Sequence, residues 1–175
     1  VQNGIVSRLP EHDNLLLPLQ KAVAAARQHA IPVIFVRVAF REGYPEISPR
    51  NKSFAALSQS GGITVTDSTA QIHASLHPQA NEPIVTKLRV SAFSGSDLEV
   101  ILRSRQIDTL ILSGISTSGV VLSTLREAAD KDYSLTVLAD ACLDTDPEVH
   151  RVLIEKIFPR QAAVLTVDTW LNSLD

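Results

Sequence analysis

Between Thr109 and Asp140 the chain passes from an apolar run, Thr109-Leu110-Ile111-Leu112, into the elbow Gly114-Ile115-Ser116-Thr117-Ser118-Gly119-Val120. A helical repeat then leads into a second apolar run, Leu135-Thr136-Val137-Leu138-Ala139. Runs of this kind, without a polar alternation, read as strands buried on both faces. Two such strands joined through a helix are parallel, because the helix returns the chain to the end where the first strand began. This one unit fixes the architecture around it: a parallel sheet with helices on both sides.

The rest of the sequence repeats the alternation. Leu15, Leu16, Leu19, Val23 and Ala26 recur at helical spacing, and a strand is expected over Ile31 to Val36. Pro83 to Lys87 reads as another strand. Ser96 and Glu99 form a capping-box signature ahead of Leu98, Ile101 and Leu102. A helix is expected over Gly119 to Lys131. Asp146-Pro147 reads as an N-cap followed by proline in the first turn, opening a helix through Val149, Leu153 and Ile157. Ala163 to Thr166 is a last strand, and a terminal helix carries Trp170 and Leu171. Residues 39–79 form a long connection with an apolar patch at Phe54 to Leu57 and an expected helix near Ala70 to Leu76. A connection of this length carries function or a subunit contact. The handedness of crossovers makes a doubly wound α/β/α three-layer sandwich the simplest topology, in a single domain over residues 1–175. Ligands of such sheets collect at the carboxyl ends of the strands, which selects Lys87 and the elbow.

Composition narrows the partners. A formal charge of -3, with both signs interspersed and no basic block, gives no footprint for nucleic acid or an anionic membrane. The apolar runs are strand-length, far below the roughly 20 residues of a membrane helix. The lone cysteine, Cys142, has no intramolecular partner. The expectation is a cytoplasmic protein with a small-molecule substrate.

Four blocks resemble the isochorismatase-like (cysteine hydrolase) superfamily, in order and over nearly the whole chain. They are Val1-Gln2-Asn3, Lys87 to Phe93, Gly114 to Val120 with Arg126-Glu127-Ala128, and Val137 to Ala141. The resemblance implies a mainly parallel six-stranded sheet whose first strand precedes Val1, with an Asp immediately before Val1. It also implies an Asp, Lys and Cys set in which the thiolate attacks an amide-like carbonyl. Lys87 matches the Lys. The cysteine position is Val120, which has neither lone pair nor acidic proton and rules out covalent thioester chemistry there. By resemblance the Ile115-Ser116 peptide is cis, and the amides of Ser116 and Val120 form an oxyanion hole. The catalytic set expected is therefore Lys87, Ser116 and Val120. Asn3, Phe93, Ile115, Thr117, Ser118 and Gly119 are expected to line the substrate.

True isochorismatases of the superfamily carry glycine in place of the cysteine and cleave a vinyl ether by acid-base chemistry. Phe40, Arg41 and Tyr44 stand where related nicotinamidases hold a metal, and suit either a roof over a planar or anionic ligand or a subunit contact. No metal or cofactor is expected. Family habit implies a homodimer or homotetramer. His12, His29 and His150 read as solvated or capping residues, and Cys142 as a small buried hydrophobe. Three readings follow: a hydrolase working through Asp and Lys without a thiol, a catalytically silent relative that binds a metabolite or serves in an assembly, and a serine hydrolase using Ser118.

Overall fold

The computed structural model describes residues 1–9 and 16–174. Leu15 and His12 lie outside them. A one-turn helix α1 (Asn3–Val6) precedes α2 (Leu17–Gln28), whose Leu19, Ala22 and Ala26 are buried at helical spacing. Then follow β1 (Phe35–Val38), α3 (Lys52–Ser60), β2 (Ile84–Lys87) and α4 (Leu98–Ser104). β3 (Thr109–Ile115) enters a π-helical turn, Thr117–Val121, that continues as α5 (Leu122–Asp130). β4 (Ser134–Leu143), α6 (Pro147–Val152), β5 (Ala163–Leu165) and α7 (Val167–Leu171) complete the order. No described helix is long and apolar enough to cross a membrane.

All strand pairings between these elements are parallel. β1 pairs with β2, Val38 standing opposite Lys87, and β4 lies between β3 and β5. The single six-stranded sheet expected from the sequence is not what the described residues form. Among the described residues five strands divide into a pair and a triplet.

The two groups nevertheless share both helical layers. Along β4, Leu135 and Val137 point into one apolar cluster with Leu98, Leu102, Leu125 and Ala128, and Leu138 points into the other with Leu19, Ala26, Val167 and Trp170. β1 shows the same alternation: Phe35 joins the α2 and α7 cluster, while Val36 packs against the α4 and α5 cluster. A strand's side chains alternate between faces, so this division is a three-layer α/β/α arrangement.

Local chemistry explains where elements begin. Asp146 accepts from the amides of Glu148 (2.9 Å) and Val149 (3.2 Å), with Pro147 in the first turn, as the sequence indicates. The capping box does not form. Asp97 is the N-cap of α4, Ser96 Oγ donates to Ala92 O, and Glu99 is drawn away by Arg103 (2.9 Å) and Lys131 (2.7 Å). Two ion pairs displace the reciprocal cap. The expected helix at 70–76 is instead two separate turns of 3-10 helix, Ser68–Ala70 and Ala74–Leu76, while α3 is capped by Asn51 accepting from Phe54 N–H. β1 starts at Phe35 rather than Ile31, since Phe35 pairs with Ile84 and Pro32, just upstream, has no N–H to donate.

Leu125 is fully buried between α5 and the sheet. Leu125→Ala should lower unfolding free energy by about 3 kcal/mol in urea denaturation followed by circular dichroism.

Candidate functional site

Lys87 closes β2 at its carboxyl end and is 6% exposed. Its Nζ donates to Arg89 O at 2.5 Å, and no ion pair with a carboxylate engages it among the described residues. Burial pushes its ammonium down to about 8. The backbone nitrogen of Val1 lies buried within electrostatic reach of it.

The turn after Lys87 is fastened to the elbow's helix. Ala92 N–H donates to Thr124 Oγ1 at 2.9 Å, both residues buried, one turn beyond Val120. This single bond brings the carboxyl end of β2 beside the start of α5.

The elbow has its own construction. β3 and β4 change register between Leu112, opposite Val137, and Gly114, opposite Cys142. Gly114 takes φ +135°, a conformation that side chains disfavour. The Ile115-Ser116 peptide is cis. Ser116 O then accepts from the amides of Gly119 and Val121, at 3.3 Å each, passing over Val120. Ser116 Oγ accepts from Gly119 N–H at 3.1 Å, and a Cβ on Gly119 would stand 2.5 Å from that oxygen. A side chain at 119 would force the Ser116 hydroxyl to turn away and lose this bond.

Two side chains from the segment after β4 hold the next residues. Thr117 is wholly buried, and its hydroxyl is 2.8 Å from His150 Nδ1. Asp144 accepts from Ser118 N–H at 2.7 Å. Burial pushes the Asp144 carboxyl up, but the Ser118 amide and hydroxyl and the amides of Asp146 and Thr145 outweigh it and hold it below its ordinary value. Sequence reading passed over Asp144, although it directly follows β4 at the strand end where ligands collect. His150 was read as solvated or capping, and it is a partner of the elbow instead. Ser118 is exposed and bonded to a carboxylate, with no histidine bonded to it.

The remaining predicted residues divide. Val120 is half-buried against the α4 and α5 cluster. Asn3 opens α1, and its Nδ2 donates to Ser68 O at 2.8 Å. Gln2, not singled out, is the buried member of its block: its amide donates to Val38 O and Ala70 O and accepts from Val38 N–H, at 2.9 to 3.0 Å. Phe40 is completely buried, edge-on to Tyr44 (6.4 Å between centroids) and Phe54 (5.5 Å). Arg41 is exposed and pairs with Glu46 at 3.1 Å. Phe93 packs on Tyr133 at 5.9 Å, with Lys131 over its ring. Burial pushes the Cys142 thiol up to about 12, partly opposed by the Gly114 amide, so it stays protonated at neutral pH. Clefts of about 330 and 300 Å³ open beside Asp108 and Tyr133 and beside Pro32 and Val33, at turns that enter strands, and neither includes a residue of the elbow.

Parallel strands with helices on both faces define an α/β class of fold. The chain belongs to the isochorismatase family, whose domain model, described as "Isochorismatase domain", matches residues 1–169. It is similar to the isochorismatase family protein YwoC of Bacillus subtilis (strain 168), 32% identical over 174 residues, covering 99% of this chain and 90% of that one. It is also similar to the ureidoacrylate amidohydrolase RutB of Pseudomonas savastanoi pv. phaseolicola, 33% identical over 181 residues, covering 92% of this chain and 68% of the relative. Among solved structures, an isochorismatase family protein from Burkholderia thailandensis superposes with a TM-score of 0.85 at 28% identity, covering 99% of this chain and 90% of that one.

The depressed Lys87 value has a consequence for stability. Below about 8 the folded state holds a buried ammonium that the unfolded chain solvates, so folding is penalised there and recovers as pH rises toward 10.5. The shift corresponds to about 3 kcal/mol, and about 1 kcal/mol is given back through the lysine's hydrogen bond. In protein beginning at Val1, where no carboxylate among the described residues pairs with Lys87, Lys87→Met should therefore stabilise the fold by about 2 kcal/mol at pH 7, and with a carboxylate adjoining the lysine it should destabilise it instead. The gain in protein beginning at Val1 should shrink in denaturation series run toward pH 10.

Proposed function

We propose that the chain is a small-molecule hydrolase that uses Lys87 and a carboxylate for acid-base chemistry, with backbone amides at the elbow and no cysteine nucleophile. The observation that carries this reading is the buried Lys87 ammonium at the end of β2, followed by a turn whose Ala92 N–H is bonded to Thr124 of the elbow's helix. A buried cation at a strand end favours negative charge developing close to it. The resemblance puts the carboxylate at the residue preceding Val1 in the full-length protein, and Val1 lies within reach of Lys87.

In this mechanism the carboxylate takes a proton from water, which attacks the carbonyl carbon of an amide or ureido group. The carbonyl oxygen becomes an oxyanion held by the Ser116 and Val120 amides and by Lys87. The carboxylic acid then returns the proton to the leaving nitrogen as the C–N bond breaks. The half-buried Val120 side chain stands where the family's thiol would stand, which explains why the route has no covalent intermediate. A ureido substrate is favoured over a vinyl ether by the similarity to RutB, a ureidoacrylate amidohydrolase.

Val120 itself supports the second reading, a silent relative that binds a small metabolite without turning it over. A panel of ureido, N-carbamoyl and vinyl-ether compounds with full-length protein separates the two. The hydrolase reading expects turnover, and Lys87→Ala should lower kcat/KM by about 100-fold. The rate should also fall as pH rises past the Lys87 value, about 8 or higher once a carboxylate adjoins it, because the reaction needs the charged ammonium. Equal rates in wild type and Lys87→Ala remove Lys87 from the mechanism. No turnover of any compound favours the silent relative.

A further inference from the structure

His150 and Thr117 form a polar side-chain contact that reaches the interior of the elbow from another element. Thr117 follows the cis peptide directly and is 0% exposed, so its hydroxyl has no access to water. Its recorded partner is His150 Nδ1, at 2.8 Å, which α6 delivers from 33 residues away. Leaving a buried hydroxyl without a partner is costly, so the position of α6 and the path of the backbone at 117 are tied together. Asp144 secures the next residue from the same segment through the Ser118 amide. Consecutive elbow residues are thus held by side chains of residues 144–150, and Val120 follows two residues later.

We propose that His150 is a positioning residue for the elbow. Acting through Thr117, it fixes the direction of the amides at 116 to 120, and Asp144 is the second anchor. The inference rests on the reading that those amides face a developing negative charge. The recognition needed is specific: the ring nitrogen next to Cβ must present to a threonine hydroxyl. Asparagine, whose side-chain amide reaches the same distance as Nδ1, should replace histidine, and serine should replace threonine. Alanine at 150 and valine at 117 remove the bond while keeping most of the volume of Thr117.

The test uses a thiol as a reporter, so it does not depend on knowing the substrate. In full-length protein carrying Val120→Cys, the rate of alkylation by iodoacetamide and its pH profile report how well the elbow and Lys87 stabilise a thiolate. Adding His150→Ala or Thr117→Val should slow alkylation at pH 7 by about tenfold and move the profile to higher pH, whereas His150→Asn and Thr117→Ser should stay within about threefold of the parent. Ring nitrogen shifts of His150 measured by NMR in the wild-type background should change in Thr117→Val and be retained in Thr117→Ser, which keeps the question answerable if a reporter variant folds poorly. A fast parent rate that none of these substitutions alters overturns the positioning role alone. A parent that alkylates at the rate of a free cysteine overturns the charge-stabilising elbow and the positioning role with it. Asparagine as damaging as alanine at 150 shows that the ring fills space and does not position the elbow.

Discussion

The pairing of β3 with β4 is the constraint on which the candidate site depends. Up to Leu112 the two strands advance together, and then two residues of β3 span five of β4 before pairing resumes at Gly114 and Cys142. The extra residues lie in β4, which bulges there, while β3 runs on directly into the cis peptide and the π-helical turn. Gly114 takes φ +135° where the pairing resumes. β4 in turn reaches far enough to place Asp144 beside Ser118. A straight, evenly registered pair would end both strands together and leave neither the bulge nor the carboxylate in place.

Local signals were legible in the sequence and non-local ones were not. Asp146-Pro147 acts within its own first turn, and it caps α6 as read. Ser96 and Glu99 have the same local form, but Arg103 and Lys131 compete for the glutamate, and Lys131 is 32 residues away. The elbow and Lys87 were found because motif and strand end coincide in sequence. Phe40 is expected over a ligand or at a subunit contact because its segment stands where related nicotinamidases hold a metal, and its depth in the fold is not visible from that position. Its burial comes from Phe54 and from pairing with the strand-like stretch at Ile63 to Val65. His150 was read as solvated or capping, since nothing in its neighbourhood announces Thr117.

The buried charge at Lys87 and the polar anchors of the elbow work in opposite senses on the fold. The lysine is held out of water, its ammonium donating to Arg89 O. The anchor at Thr117 satisfies a buried hydroxyl, and the one at Ser118 holds an exposed backbone amide. The same end of the molecule therefore combines a desolvated cation with hydrogen-bonded anchors.

The bond from Ala92 to Thr124 and the contact from Thr117 to His150 each close a loop of more than 30 residues. Neither belongs to a hairpin or a single helical unit, so neither forms until distant segments have already met. The elbow's geometry consequently depends on segments distant from it in sequence. Its integrity reports on the cooperativity of the whole domain, and a substitution far from the elbow that loosens the packing of α4 or α6 reaches the candidate site through these two closures.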